Sequence, residues 1–144
     1  MSSGKQIFSK LADGKLIVEI VTTNYPDPVG NQVLVQMEAA PINPSDLALL
    51  TSAADLENAE YSDGKFVASM PEPFFSAQKG RHGLSLPVGN EGAGTVIAAG
   101  EGDAAQALVG QRVACVPGSA YSQYCIAEAT MCLPLGDISS EDGA

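Results

Sequence analysis

The stretch Pro87-Val88-Gly89-Asn90-Glu91-Gly92-Ala93-Gly94-Thr95-Val96 carries the strongest structural signal in this sequence. Three of its glycines, Gly89, Gly92 and Gly94, fall within six residues. Such a cluster indicates a tight backbone course, in which φ is positive or another group comes too close to leave room for a side chain. Taken alone, the stretch is more typical of a bulged turn that leads into a strand than of a binding site.

Strand patterns surround this stretch on both sides. Residues 94–99, 112–116 and 121–127 are short apolar runs bounded by glycine or proline, and residues 16–23 and 31–39 have β-branched or alternating patterns. A turn rich in Pro, Gly, Asn and Asp separates the last two runs and predicts that they form an antiparallel pair. Short strands at this spacing favour a barrel or sandwich over a parallel α/β sheet.

Length and charge narrow the classes of protein that this chain resembles. The 144 residues contain 17 acidic and 7 basic side chains, a formal net charge of −10. One compact domain is expected at this length, and the acidic balance argues against nucleic acid and anionic membranes as partners. No run approaches the roughly 20 apolar residues that span a bilayer, and no secretory signal is evident at the start. A soluble cytoplasmic protein is expected, with its three cysteines reduced.

The segments between the strands include one short helix and two irregular regions. Asn43 can cap a helix, Pro44 suits the first helical position and Asp46 adds a favourable first-turn charge, so a helix is predicted through Leu50. Residues 51–86 show no sustained period and are expected to form a long surface excursion. The acidic tail, residues 137–144, has the composition of a linker.

Most of the usual catalytic patterns are excluded. Residues 100–105 fit the dinucleotide pattern G-x-G-x-x-A, but the room for a following helix is too short, and a plain loop is expected. The single histidine, His82, is expected to be a solvated loop residue, which leaves neither a zinc site nor a nucleophile with its base. The cysteines, Cys115, Cys125 and Cys132, are expected to act as small buried hydrophobes.

Three ordered motifs resemble those of one known family. They are Ala39-Ala40-Pro41-Ile42-Asn43-Pro44-Ser45-Asp46-Leu47, the glycine-rich stretch quoted above, and Val109-Gly110-Gln111-Arg112-Val113-Ala114. Together they resemble the GroES-like catalytic domain of the medium-chain dehydrogenase/reductase superfamily, over residues 5 to 136. The resemblance implies a mainly β fold with short helices, built as a partly open β-barrel. It also implies a domain over residues 1–136, with 137–144 starting the linker to a Rossmann domain that this chain lacks.

The resemblance also implies a branch and a set of site residues. Zinc alcohol dehydrogenases have cysteine and histidine ligands where this chain has Asn43 and Asn90, so it is similar to the zinc-independent quinone oxidoreductases and enoyl reductases. These enzymes transfer hydride from NADPH. Asn43 would then be catalytic, and Pro44, Asn90 and Glu91 would line the substrate or cofactor pocket. Tyr61 is the candidate for the proton-donating tyrosine that enoyl reductases carry closer to the Asn43 motif.

Three functional hypotheses remain from the sequence. The first is the catalytic-domain portion of an NADPH-dependent reductase of quinones or activated enone or enoyl double bonds, inactive alone. The second is a non-catalytic GroES-like module for binding or self-assembly, and the third is an intact small enzyme. The open edge of an incomplete barrel also predicts association with a second copy of the chain.

Overall fold

The computed structural model describes residues 1–144 and shows a mainly β chain. Its ten strands are β1 (Ser2–Ala12), β2 (Lys15–Tyr25), β3 (Gln32–Ala39), β4 (Glu60–Ser62), β5 (Lys65–Ser69), β6 (Ser85–Pro87), β7 (Gly92–Ala99), β8 (Arg112–Cys115), β9 (Tyr124–Glu128) and β10 (Cys132–Pro134). Its helices are single turns, α1 (Leu47–Leu50), α2 (Phe74–Ala77), α3 (Asp103–Gln106) and α4 (Ser140–Gly143). The predicted fold class, mainly β with short helices, is confirmed. None of the helices has the length and apolar character needed to cross a bilayer.

The chain forms two compact units, where a single one was expected. The first unit comprises Met1–Gln6, Thr22–Ile42 and Gly89–Ala144, and the second comprises Ile7–Val21 and Asn43–Val88. Every strand ladder with a described register is antiparallel, and no helix is longer than four residues. The described residues therefore contain no Rossmann unit, which needs parallel strands joined by helical crossovers.

The first unit is built on a five-stranded sheet in the order β10-β8-β7-β3-β9. Val35 of β3 faces Val96 of β7 on one side and Cys125 of β9 on the other, and all three side chains are buried. Cys125 also packs in the same buried cluster as Cys115 of β8, although β7 and β3 lie between their strands in the sheet order. The sheet therefore curls around its core, as expected for a partly open barrel.

The second unit is built on the sheet order β4-β5-β2-β1-β6 around Leu11, Leu16 and Met70. The strand predicted at residues 16–23 is present as β2, but the predicted pairing of β2 with β3 is wrong. β2 neighbours β1 and β5, whereas β3 neighbours β7 and β9. The reason is local: Asp13-Gly14, with both φ values positive, makes a two-residue turn that pairs β1 with β2.

The region 51–86, expected to be a surface excursion, carries regular structure. It contains β4, β5, β6 and α2, and β5 pairs with β2 over five residues. Ala68 of β5 and the following Met70 are buried. Strands of three to five residues are too short to show a sustained period, which explains why the sequence pattern did not predict them.

Candidate functional site

Asn43 lies in a closed turn ahead of α1. Its carbonyl accepts a hydrogen bond from the Asp46 N–H at 2.9 Å, and its N–H donates to Asp46 Oδ2 at 2.9 Å. Asp46 is buried, whereas Asn43 is half-buried and Pro44 is exposed. The buried carboxylate therefore fixes the backbone on which the candidate catalytic amide is carried.

The same turn corrects the predicted start of the helix. Asn43 was expected to cap it with Pro44 at the first helical position, but α1 begins at Leu47 and Asp46 occupies the N-cap position. The turn from Asn43 to Asp46 closes first, because Asp46 supplies both its N–H and its carboxylate to Asn43. The helix is displaced by three residues toward the C-terminus as a result.

The other end of α1 is held by a buried polar group. The Ser9 hydroxyl donates to the Leu49 carbonyl at 2.6 Å, and Arg81 donates to the Ala48 carbonyl at 3.0 Å and to the Ser9 hydroxyl at 3.2 Å. Burial lowers the pKa of Arg81. Terminal carbonyls of a helix lack partners within it, so these donors stabilise a helix of only one turn. The Asn43 motif is thus supported from both of its ends within the second unit.

Tyr61, the other candidate catalytic residue, lies at the edge of the second unit's sheet. It is on β4 opposite Phe66 and is 71% exposed. The α1 helix contacts β1 through Ser9, and β1 is three strands away from β4. The strand order thus gives no direct contact between β4 and β1. Tyr61 is exposed at the sheet edge, and its proposed proton transfer stays a prediction.

Asn90 and Glu91 belong to the first unit, where the loop before β9 holds their backbone. The Ala120 N–H donates to the Gly89 carbonyl at 2.9 Å, and the Gly118 N–H donates to the Asn90 carbonyl at 3.2 Å. Gly89 has a φ of +96°, a conformation that side chains disfavour. One of the two explanations predicted for the glycine cluster is therefore confirmed at Gly89.

The second explanation, close approach, is confirmed at Gly92 and Gly94. A Cβ added to Gly94 would lie 2.1 Å from the Gln36 carbonyl oxygen, and one added to Gly92 would lie 2.7 Å from the Ala39 carbonyl oxygen. Both oxygens belong to β3. The first residues of β7 therefore pack directly on the backbone of β3, and this contact fixes the start of the strand that follows Asn90 and Glu91.

Tyr121, in the loop before β9, contacts the residues around Gly89 and was not singled out from the sequence. Its hydroxyl donates to the Pro41 carbonyl at 2.7 Å, and its ring lies where a side chain on Gly89 would have to be. It was predicted within a strand, but β9 begins three residues later, at Tyr124. Gly89 was the available signal in the sequence, since it indicated the close approach of another group without showing which group.

Glu91 also lines a cavity of the first unit, which has a volume of about 390 Å³. The wall is mostly apolar; its residues are Glu91, Gly92, Ala114, Cys115, Val116, Thr130, Met131, Cys132, Leu133, Gly143 and Ala144. The side chains in this wall that can ionise are thus two thiols and one carboxylate. Burial of Cys115 and Cys125 confirms the expected role as small hydrophobes, whereas Cys132 is half-buried.

Glu38, on β3, is the centre of a cluster of polar side chains that includes Ser140 near the C-terminus. It accepts hydrogen bonds from the hydroxyls of Ser140 and Thr95 and lies 3.6 Å from Arg112 Nε. The Ser140 bond first, and then the Thr95 bond, hold the pKa of Glu38 below its usual range, with a smaller contribution from Arg112. Residues 137–144, expected to be a linker, therefore end in a helix, α4, that is anchored on the first unit's sheet.

The structure also accounts for the residues weighed for metal and dinucleotide binding. His82 is not simply solvated: its ring stacks on Phe75 at 4.0 Å, and its Nε2 lies 2.9 Å from the Phe75 carbonyl. No three His, Cys, Asp or Glu side chains come together as metal ligands. A Cβ on Gly100 would lie 2.4 Å from the Gly30 carbonyl oxygen, so this glycine serves packing, and the plain loop expected over residues 100–105 ends in the single-turn helix α3.

Comparison with known proteins identifies what this architecture is similar to. Residues 30–140 match the family model described as the alcohol dehydrogenase GroES-like domain. No curated protein matches the chain at a significant level. Among solved structures, a protein assigned as an NADPH:quinone reductase from Mesorhizobium loti aligns over 100% of this chain and 40% of its own, with 28% identity and a TM-score of 0.65.

Two further structures share the fold at lower identity. The quinone oxidoreductase from Coxiella burnetii aligns over 99% of this chain and 40% of its own, with 20% identity and a TM-score of 0.67. A mycobacterial protein in complex with NADPH aligns over 95% of this chain and 34% of its own, with 24% identity and a TM-score of 0.61. The chain thus spans about two fifths or less of the length of these proteins.

Proposed function

Because this chain belongs to the alcohol dehydrogenase GroES-like domain family of the medium-chain dehydrogenases/reductases, we propose that it forms the substrate side of an NADPH-dependent reductase. The proposed substrates are quinones and activated enone or enoyl double bonds. The Mesorhizobium loti protein, at 28% identity over the whole chain, supports the quinone class. The observation that carries the proposal is that hydrogen bonds fix the backbone at both amide positions. Asp46 fixes Asn43 in the second unit, and Gly118 fixes Asn90 in the first.

The chemistry of these amides suits a reaction without a metal. A quinone or enone that accepts hydride develops negative charge on its oxygen, and donors that are already in place stabilise that charge. The carboxamides of Asn43 and Asn90 can donate without themselves carrying charge. The zinc-independent branch is proposed because Asn43 and Asn90 stand where zinc alcohol dehydrogenases have cysteine and histidine ligands.

The cofactor that this proposal implies is NADPH, which would supply the hydride. A dinucleotide is usually cradled by a glycine-rich turn between a parallel strand and a helix. Here the only such pattern, residues 100–105, packs on the turn at Gly30 and runs into a helix of four residues, α3. The described residues do not fit the pyrophosphate. We propose that residues outside the described chain would hold it, and that these 144 residues have no appreciable turnover alone.

The first experiment measures quinone binding directly. Duroquinone, whose ring carbons are fully substituted and resist thiol addition, is titrated into the ¹⁵N-labelled protein. We expect the side-chain amide signals of Asn43 or Asn90 to shift, and Asn90→Ala to weaken binding about two- to tenfold, the value of one hydrogen bond. Asn58→Ala is the matched control, because Asn58 is exposed and bonds to Asp55. Equal effects of the two substitutions would contradict the proposed site.

A second pair of measurements addresses the cofactor and the metal. NADPH absorbance is followed with duroquinone and with an enal as acceptors. Turnover comparable to that of an intact reductase would refute the expectation that these residues need a nucleotide-binding part. Metal content after dialysis is expected to be far below one zinc per chain, and stoichiometric zinc would refute the assignment to the zinc-independent branch.

A further inference from the structure

Two of the three free cysteines face each other across adjacent strands. Cys115 ends β8, Cys132 begins β10, and the two are direct partners in the antiparallel register. Directly opposed residues of an antiparallel pair have their side chains on the same face of the sheet. Both cysteines accordingly line the same 390 Å³ cavity.

The hydrogen-bond pattern shows which kind of position this pair occupies. The Val116 N–H donates to the Met131 carbonyl at 3.3 Å, and the Leu135 N–H donates to the Arg112 carbonyl at 2.9 Å. Hydrogen-bonded and non-hydrogen-bonded pairs alternate along an antiparallel ladder, so the Cys115–Cys132 pair, one step from Val116–Met131, is non-hydrogen-bonded. Pro134, two residues beyond Cys132, has the same type of position, as a residue without an N–H requires.

Non-hydrogen-bonded pairs bring side chains closest together. Their Cα atoms are about 4.5 Å apart, and the Cβ atoms of directly opposed residues are about 4.5 to 5.5 Å apart. A disulfide needs Cα atoms about 4.4 to 6.8 Å apart and Cβ atoms about 3.5 to 4.5 Å apart. The register therefore meets the Cα requirement and leaves a Cβ adjustment of about an ångström or less.

We propose that Cys115 and Cys132 form an oxidation site, in which a small-molecule disulfide entering the cavity converts the two thiols into a cross-strand disulfide. Cys132 is half-buried and meets the oxidant first, whereas Cys115 is buried behind it. The Cys132 thiolate attacks the small disulfide, forms a mixed disulfide and releases one thiolate. Cys115 then attacks the Cys132 sulfur and releases the second thiolate. Two protein thiols are oxidised, one small disulfide is reduced to two thiols, and the two protein protons go to the released thiolates.

The surroundings of the two sulfurs affect the two steps in opposite directions. A hydrogen bond with Cys125 lowers the pKa of Cys115, which favours the thiolate that attacks in the second step. Burial, and then the neighbouring Cys115, raise the pKa of Cys132 to about 11, so the first step is slow at neutral pH. Cys125 is the alternative partner of Cys115, but it is buried and does not line the cavity through which the oxidant enters.

The test incubates the native chain with oxidised glutathione, alkylates the remaining thiols and counts them by mass spectrometry. The free-thiol count is expected to fall from three to one, with loss of two hydrogens. Cleavage after tyrosine and after glutamate separates the three cysteines, because Tyr121, Tyr124 and Glu128 lie between them. The linked peptides are expected to contain Cys115 and Cys132.

Two variants make the outcome decisive. Cys125→Ala removes the alternative partner and is expected to go from two free thiols to none, whereas Cys132→Ala is expected to keep both of its thiols. Circular dichroism of each variant checks that it is folded. A Cys115–Cys125 link, a stable glutathione adduct on Cys132, or three alkylated thiols after oxidation of the folded chain would each overturn the proposal.

Discussion

Replacing Gly94 by alanine tests the close packing of β7 on β3. The added Cβ would lie 2.1 Å from the Gln36 carbonyl oxygen, 2.8 Å from its carbon and 2.9 Å from Met37 Cα. All three atoms are backbone, so the two strands must separate. Overpacking costs about 1 to 3 kcal/mol, and a weakened ladder hydrogen bond adds about 1 kcal/mol. The reduced entropy of the unfolded chain offsets about 0.4 to 1 kcal/mol, leaving a net destabilisation of about 2 kcal/mol.

Thermal unfolding followed by far-ultraviolet circular dichroism measures this effect, since the chain contains no tryptophan. Unfolding entropy is about 2.1 cal/mol/K per residue, so about 2 kcal/mol lowers the Tm of a 144-residue chain by about 7 °C. Gly80→Ala is the matched control: its φ is not positive, no atom lies within 4 Å of the added Cβ, and its Tm should change by less than about 2 °C. Equal Tm values for the two variants would refute the packing argument.

Three further substitutions test the polar contacts of the two units. Tyr121→Phe removes the donor to the Pro41 carbonyl and should cost about 1 kcal/mol in urea unfolding, whereas Tyr61→Phe, at an exposed site, should cost nothing measurable. Asp46→Ala should cost about 1 to 2 kcal/mol and speed amide hydrogen exchange in α1, and unchanged exchange would contradict its role in the turn. Glu38 has a lowered pKa in the folded chain, so its stabilisation is complete above about pH 4.5 and is lost as pH falls through the folded pKa. Glu38→Gln should therefore flatten the decline of stability in acid, and an unchanged slope would contradict the Glu38 contacts.

The parts of the fold that could be predicted are those that local pattern encodes. The alternation in residues 31–39 and the glycines of residues 89–94 led directly to β3 and to the start of β7. The Asp13-Gly14 and Asp63-Gly64 pairs were equally readable signals, since both have positive φ values at both residues and connect β1 to β2 and β4 to β5. These pairs predict hairpins that join β1 to β2 and β4 to β5, and the first hairpin contradicts the pairing of β2 with β3.

The parts that could not be predicted depend on contacts between distant residues. Tyr121 and Gly89 meet because a loop before β9 folds back on the residues before β7. The contact of Glu38 with Ser140 joins residues about a hundred positions apart. Neither pair leaves a periodic trace in the sequence, because each involves single side chains rather than the face of an element. Within the candidate site, the sequence indicated Asn43 and Asn90 but not the hydrogen bonds from distant residues that fix the Asn90 backbone.

The position of β3 in the middle of its sheet sets the order in which the chain can fold during synthesis. Val35 is partnered by Val96 and Cys125, about 60 and 90 residues later in the chain. At about 5 to 20 residues per second, a ribosome takes about 5 to 20 seconds to deliver the second partner. The two Asp-Gly hairpins can close within microseconds of emerging. A nascent chain therefore carries closed hairpins while the apolar strand β3 still lacks a partner on at least one side.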